Sequence, residues 1–243
     1  QIKTSARTAA RAALMADHHK GYGVPIGGVV AYENAVSPTG VGYDIGCGNK
    51  AVRLYIPGDS VNIRVAMDLI VSSRSFGVGR VNERAPDHGL FDDHAWSIVP
   101  QYKEMARQQL GTIGSGNHYV DLLVDEDGWL WVGVHFGSRG LGHKTATQFL
   151  KAAGANDGMD VEPIVLQLGT ALGDDYMEAM RLAGSYAYAG RDWVCEEVAR
   201  LFGAVIVEEV HNHHNYAWRE RHGGTDYIVV RKGATPAFPG QKG

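Results

Sequence analysis

GTIGSGNHYVDLLVDEDGWLWVGVHFGSRG, residues 111–140, reads as two strands held between two glycine loops. Residues 118–124 and 129–135 are apolar and β-branched, and they flank Asp125-Glu126-Asp127-Gly128, a sequence suited to a hairpin turn. Upstream, residues 25–32 and 51–56 read as strands, and 106–110 as the end of a helix. Residues 60–72 predict a helix with Val61, Val65, Met67 and Leu69 inside. Residues 34–48 are punctuated by Pro38, Gly40, Gly42, Gly46 and Gly48 and predict a loop, and 76–98 are polar and irregular. The Ala-rich segment 5–16 predicts a helix. Downstream, 144–153 is a short helix, and 174–202 carries the longest helical pattern, with Gly184 and Gly190 as expected kinks. Residues 204–210 and 225–230 are strands. Helices and strands mix without βαβ regularity, so the expectation is an α+β fold: one domain over 1–243, its mixed or antiparallel sheets flanked by helices.

Composition bounds the function classes. The 243 residues are enough for a full core without disulfides. The two cysteines, Cys47 and Cys195, lie far apart, which argues against a disulfide framework and for a reducing cytoplasm. No run of 18 apolar residues exists, so no membrane span is expected. A net charge of −4 argues against nucleic-acid binding by bulk charge, while leaving room for a local basic groove. The 32 glycines and 11 histidines point to a site-rich protein, because glycine lets backbone approach ligands and histidine binds metal or moves protons.

Five segments carry the candidate chemistry. GYDIGCG, residues 42–48, sets Asp44 three residues before Cys47 on a tight loop, where a carboxylate and a thiolate can hold one ion or bridge two. The alternative is a turn aspartate and a small buried cysteine. GTIGSGNHYVD, residues 111–121, leads three glycines into Asn117 and His118, a phosphate contact and a metal ligand on the functional reading. VHFGSRGLGHK, residues 134–144, ends a strand on His135 and places Arg139 in a glycine loop, where its guanidinium fork can grip phosphate. EEVHNHHNYAWRE, residues 208–220, follows a strand with His211, His213 and His214, which cannot all point the same way. RKGATPAFPGQKG, residues 231–243, reads equally as a phosphate contact and as an exposed basic turn. A cysteine, an aspartate and three separated histidines are the donors that a dinuclear Mn²⁺ or Zn²⁺ site uses.

In this order GYDIGCG, GTIGSGNH, HFGSRGLGH, HHNY and RKGA, preceded by MADHHKGYGVPIGG at 15–28, resemble the RtcB-type RNA ligases from about residue 12 onward. The resemblance implies an enzyme that joins an RNA 3′-phosphate or 2′,3′-cyclic phosphate to a 5′-hydroxyl with GTP and two Mn²⁺, Zn²⁺ being the other metal the donors suit. It also implies work in tRNA splicing or RNA repair, and an archease-like activating partner. By position, Cys47 would bridge two metals, Asp44 and His118 would complete one, and His135 and His214 the other. Asn117 would contact the GTP phosphates together with His118, Asp121 would lie near the guanine, and Arg139 would hold RNA or triphosphate. The family's guanylylated histidine belongs to a later Ser-His-Gly-Ala-Gly-Arg-like stretch that residues 1–243 do not contain, so a C-terminal part is missing and these residues alone are not expected to ligate RNA. Asp121 stands where Glu is expected and Gly190 where Asn is expected before Arg191. Two other readings stay open: a metal-dependent phosphoesterase using the same site with metal-bound water, and a non-catalytic GTP- or RNA-binding remnant.

Overall fold

A computed structural model describes residues 1–83, 86–155 and 162–242. In chain order its elements are helix α1 (Ile2–Ser5), strands β1 (Arg11–His19), β2 (Ile26–Tyr32) and β3 (Ala35–Val36), helix α2 (Pro38–Val41) and strand β4 (Gly48–Pro57). Helices α3 (Ile63–Ser73) and α4 (Lys103–Gln109), strands β5 (Tyr119–Val124) and β6 (Trp129–Phe136), and helix α5 (Arg139–Ala152) follow. Strand β7 (Leu166–Gln167), helix α6 (Ala171–Leu201) and strands β8 (Ile206–His211), β9 (Asn215–His222) and β10 (Thr225–Lys232) complete it. One four-stranded sheet runs β1-β2-β10-β9 and a second runs β5-β6-β4-β8, while β3 and β7 form a short pair. Strand pairing within these sheets is antiparallel, so the fold is α+β as expected.

The second sheet positions the site. Its period-2 alternation sends Val52, Leu54, Val120, Leu130, Val132, Val134 and Phe136 to one face, where they meet Val194, Cys195 and Val198 of α6. Each such side chain contributes about 1.5–3 kcal/mol on burial. The intervening residues, among them Asn49, Tyr119, Asp121 and His135, occupy the other face. A larger core, including Tyr32, Ile45, Phe149, Tyr176 and Tyr186, joins α5 and α6 to the first sheet.

Several sequence expectations are overturned. Residues 5–16 are not a helix: α1 stops at Ser5, and β1 begins at Arg11 as an edge strand pairing Arg11 through Leu14 with Ala31 through Gly28. Tertiary pairing overrides alanine's helical preference there. Val65, Met67 and Leu69 are exposed, and α3 buries Ala66 and Ile70 instead. The expected loop 34–48 contains β3 and α2. Residues 215–222, to which the sequence reading assigned no element, form β9 at the edge of the first sheet beside β10. The longest helical pattern, by contrast, is found as expected: α6 is one helix that includes Gly184 and Gly190. They are close-approach sites: a Cβ on Gly184 would stand 2.7 Å from the Tyr216 ring, and one on Gly190 3.2 Å from Phe136.

Candidate metal centre

The expected ligands come from four separate segments that meet at the same end of the second sheet. Asp44 and Cys47 lie on the loop entering β4, where the Cys47 N–H donates to the Asp44 carbonyl at 3.1 Å. His118 immediately precedes β5, and His135 is the penultimate residue of β6. Register aligns them, since His135 pairs with both Asn49 and Tyr119. The fourth segment, after β8, is fixed by the His214 N–H donating to the Cys47 carbonyl at 2.8 Å. Glycine permits this crowding: a Cβ on Gly137 would collide with the Asp44 carboxylate, and one on Gly48 with the Asn212 carbonyl.

Two donor sets result, each with its ligand atoms within 4.8 Å of one another: Cys47, His135 and His214, and Asp44, Cys47 and His118. Cys47 is common to both. Its Sγ lies 3.3 Å from His135 Nε2 and 3.9 Å from His118 Nε2, and His118 Nε2 lies 3.0 Å from Asp44 Oδ2. His135 and His214 rings stand edge to face with centroids 5.0 Å apart. Cys47 is buried, and its sulfur lies among imidazoles and a carboxylate. His211 and His213 turn away from this cluster, toward Arg191 of α6. Thiolate, imidazole and carboxylate donors together fit divalent transition metals, softer donors favouring Zn²⁺ and the carboxylate favouring Mn²⁺.

Electrostatics prepare the imidazoles as ligands. Burial, and then the proximity of His214 and His118, hold His135 down to about 4, so its ring is neutral near pH 7. Burial also lowers His214. Burial would raise Asp44, but the hydrogen bond and charge of His118 outweigh it and keep the carboxyl below its ordinary range. The Cys47 thiol is pushed well up by burial and then by Asp44, so ionising it requires a cation at the sulfur. Asn49 fixes the His135 tautomer: its Oδ1 lies 2.6 Å from Nδ1, which therefore carries the hydrogen and leaves the Nε2 lone pair toward Cys47. The Tyr119 ring stacks on His135 at 5.4 Å.

Arg139 opens α5 at φ 54°, a backbone uncommon outside glycine, with its guanidinium over Gly114. Among the described residues it makes no ion pair. Its Nη1 lies 2.9 Å from His118 Nδ1, which is also 3.1 Å from the Ile113 carbonyl. The two tautomers of His118 therefore treat Arg139 differently. With hydrogen on Nε2 the ring donates to Asp44 and accepts from Arg139; with hydrogen on Nδ1 it donates to Ile113 and releases both its Nε2 lone pair and Arg139 Nη1, while Arg139 Nε stays on Thr112 Oγ1 at 3.3 Å. Asn117 is exposed at the rim, with Nδ2 3.5 Å from His135 Nε2. Asp121 is exposed two residues beyond Tyr119 on the same strand face, outside the donor cluster. The basic pair of the last motif turns inward: Arg231 pairs with Glu220, and Lys232 donates to the Tyr22 and Thr39 carbonyls at 2.7 and 3.2 Å. Burial lowers Lys232 to about 8. Sequence reading missed Asn49, Tyr119 and Arg191 as site residues. Asn49 lies two residues after Cys47, but only the strand register reveals its partner.

Residues 1–84 and 63–242 match the protein-family model described as tRNA-splicing ligase RtcB. The chain is 30% identical over 272 residues to the RNA-splicing ligase RtcB1 of Escherichia coli, and 31% identical over 296 residues to the tRNA-splicing ligase RtcB of Thermococcus kodakarensis. It is 32% identical over 300 residues to the tRNA-splicing ligase RtcB of Archaeoglobus fulgidus. These alignments cover 95%, 93% and 94% of the chain, which spans 65%, 61% and 62% of the length of those relatives. Among the described residues no helix is long and apolar enough to cross a membrane.

Proposed function

This chain belongs to the RtcB family of tRNA-splicing ligases, and on that premise we propose that it forms the metal- and phosphate-handling part of an RNA ligase. The reaction joins RNA 3′-phosphate or 2′,3′-cyclic phosphate ends to 5′-hydroxyl ends at the expense of GTP. The observation that carries the reading is the meeting of Asp44, His118, His135 and His214 around one cysteine, Cys47. Asp44, Cys47 and His118 would hold one divalent cation, and Cys47, His135 and His214 a second, with Mn²⁺ the physiological choice. Bound there, the cations would neutralise triphosphate charge and stabilise in-line attack at phosphorus.

The chain's own residues do the rest. By accepting from Nδ1, Asn49 orients His135 to ligate through Nε2. A ligating His118 keeps its hydrogen on Nδ1, against the Ile113 carbonyl, which frees Arg139 Nη1 so that the guanidinium takes phosphate through its planar fork. Asn117, exposed beside His135, offers an amide hydrogen to a phosphate oxygen at the rim. Asp121 lies further along the same face, where a nucleotide base would reach. An archease-like protein is the activator this reading expects, and tRNA splicing or RNA repair in the cytoplasm its setting.

The test uses the full-length protein with Mn²⁺ and α-labelled GTP, followed by RNA bearing 3′-phosphate and 5′-hydroxyl ends. A covalent GMP adduct on histidine and its consumption during joining are expected. Release of phosphate from the RNA with neither adduct nor joining would replace this reading with the phosphoesterase.

A further inference from the structure

Arg191 lies in the middle of α6, is wholly buried, and belongs to none of the motifs that suggest metal or phosphate chemistry. Four of its five N–H groups have acceptors independent of the His213 tautomer, and the fifth faces His213 Nδ1. Nη1 donates to the Gly46 carbonyl at 2.9 Å and to the Phe136 carbonyl at 2.6 Å. Nη2 reaches the Asn212 carbonyl at 3.4 Å and His213 Nδ1, itself 3.0 Å from the Gly46 carbonyl, at 3.2 Å, and Nε donates to His211 Nε2 at 2.9 Å. The first three acceptors are not random. Gly46 precedes Cys47, Phe136 follows His135, and Asn212 lies two residues before His214. One guanidinium therefore ties together the main chain beside all three donors of one candidate metal set.

We propose that Arg191 is the positioning residue of the metal centre, its rigid fork setting the spacing of Cys47, His135 and His214 through the carbonyls of Gly46, Phe136 and Asn212. The inference rests on the metal reading of the site. Burying a guanidinium is costly unless its donors are satisfied, and here three carbonyls and His211 take four of the five N–H groups whatever the His213 tautomer. The arginine is itself held from behind. His211 accepts from Nε while its Nδ1 lies 3.2 Å from Asp192 Oδ1, and Asp192 also takes the Lys50 ammonium at 2.5 Å. This backing fixes the His211 tautomer and, with it, the plane of the guanidinium. Gly190 lets α6 come close enough, since a Cβ there would press on Phe136 at 3.2 Å. A lysine could supply the charge but not the fork, because an ammonium on a flexible stem cannot reach three carbonyls in fixed directions.

The experiment reads ligand geometry rather than turnover. Co²⁺ is titrated into the full-length protein and its Arg191→Met, Arg191→Lys and Phe149→Leu variants, following the thiolate-to-cobalt charge-transfer band and the ligand-field bands. Arg191→Met is expected to weaken Co²⁺ binding by about 10–100-fold and to lose or shift the thiolate band, as loss of outer-shell support does. Arg191→Lys should keep the fold by circular dichroism yet show an altered spectrum. Phe149→Leu, a core change remote from the donors, should leave the spectrum as in the parent, which separates positioning from general destabilisation. If Arg191→Met does not fold, Arg191→Lys decides alone. A lysine or methionine variant that folds with parental spectrum and affinity within twofold overturns the assignment. A parent protein with no thiolate–cobalt band overturns the metal reading, and the role of Arg191 with it.

Discussion

The two faces of the sheet β5-β6-β4-β8 are made by alternate residues of the same strands, yet they do opposite work. His135 stands beside Cys47 on one face; Phe136, the next residue, is buried against α6 on the other. Asn49 orients His135, while Lys50 points the other way and pairs with Asp192 and Glu209. A slip of one residue in register would exchange chemistry for core at every position. The apolar face thus fixes the register, and the register delivers the donors. The polar exceptions on the covered side, Lys50, Arg191 and His211, form one connected network under the ligand-bearing strand ends.

This division predicts that the faces separate under mutation. The largest stability effect belongs to the covered face. Leu130 is fully buried at the end of β6 remote from His135. Leu130→Ala is expected to cost about 2–5 kcal/mol in urea unfolding with metal affinity unchanged in the folded protein. A parallel loss of metal affinity would mean that the faces are coupled throughout the strand rather than only at its end. On the open face the balance reverses. Asn49→Ala should cost little stability but weaken metal binding by about 10–100-fold, because His135 loses the acceptor that fixes its tautomer. A metal-buffered titration measures this, and an unchanged affinity would remove Asn49 from the site.

A pH series sharpens the same contrast. His135 titrates near 4 in the folded chain and near the ordinary 6.5 when unfolded. Between these values the unfolded chain binds the additional proton, so stability is full above about 6.5 and declines as pH falls toward 4. His213, lowered to about 2 by burial and by Arg191, extends the decline further into acid. Metal-free protein should therefore show an unfolding midpoint that drops on acidification through this window, and His135→Gln should flatten the slope. A slope unaltered by that substitution would assign the acid sensitivity to other groups.

How much of this was legible in the sequence differs between the faces in a physically sensible way. The alternation of β5 and β6 and the Asp125–Gly128 turn announced the hairpin, because strand periodicity is a local property. Asp44, Cys47, His118, His135 and His214 could be singled out by donor chemistry and glycine context, and the structure brings them together. Which histidine of the 211–214 cluster faces the sulfur was settled by the resemblance, not by local pattern. Arg191, Asn49 and Lys50 were invisible because their partners lie 20 to 159 residues away along the chain. The misread Ala-rich segment has the same cause, since only pairing with β2 makes 11–19 a strand.

The smallest effect is expected at the outer rim of the open face. Asp121 is exposed, follows Tyr119 on the face that carries His135, and stands where the family pattern leads one to expect Glu. On the proposed reading its carboxylate approaches the base of the nucleotide, and one methylene decides whether it reaches. Because the residue is exposed and away from the donor cluster, Asp121→Glu should change stability by no more than about 0.5 kcal/mol and leave Co²⁺ binding untouched. In the full-length protein it should strengthen GTP binding, and the gain should vanish for ATP, since a carboxylate accepts from the guanine N1–H and exocyclic amine but finds no such pair of donors on adenine. Calorimetric titration with both nucleotides measures the difference. An equal change for GTP and ATP would place Asp121 away from the base, while the donor cluster around Cys47 would stand unaffected by that outcome.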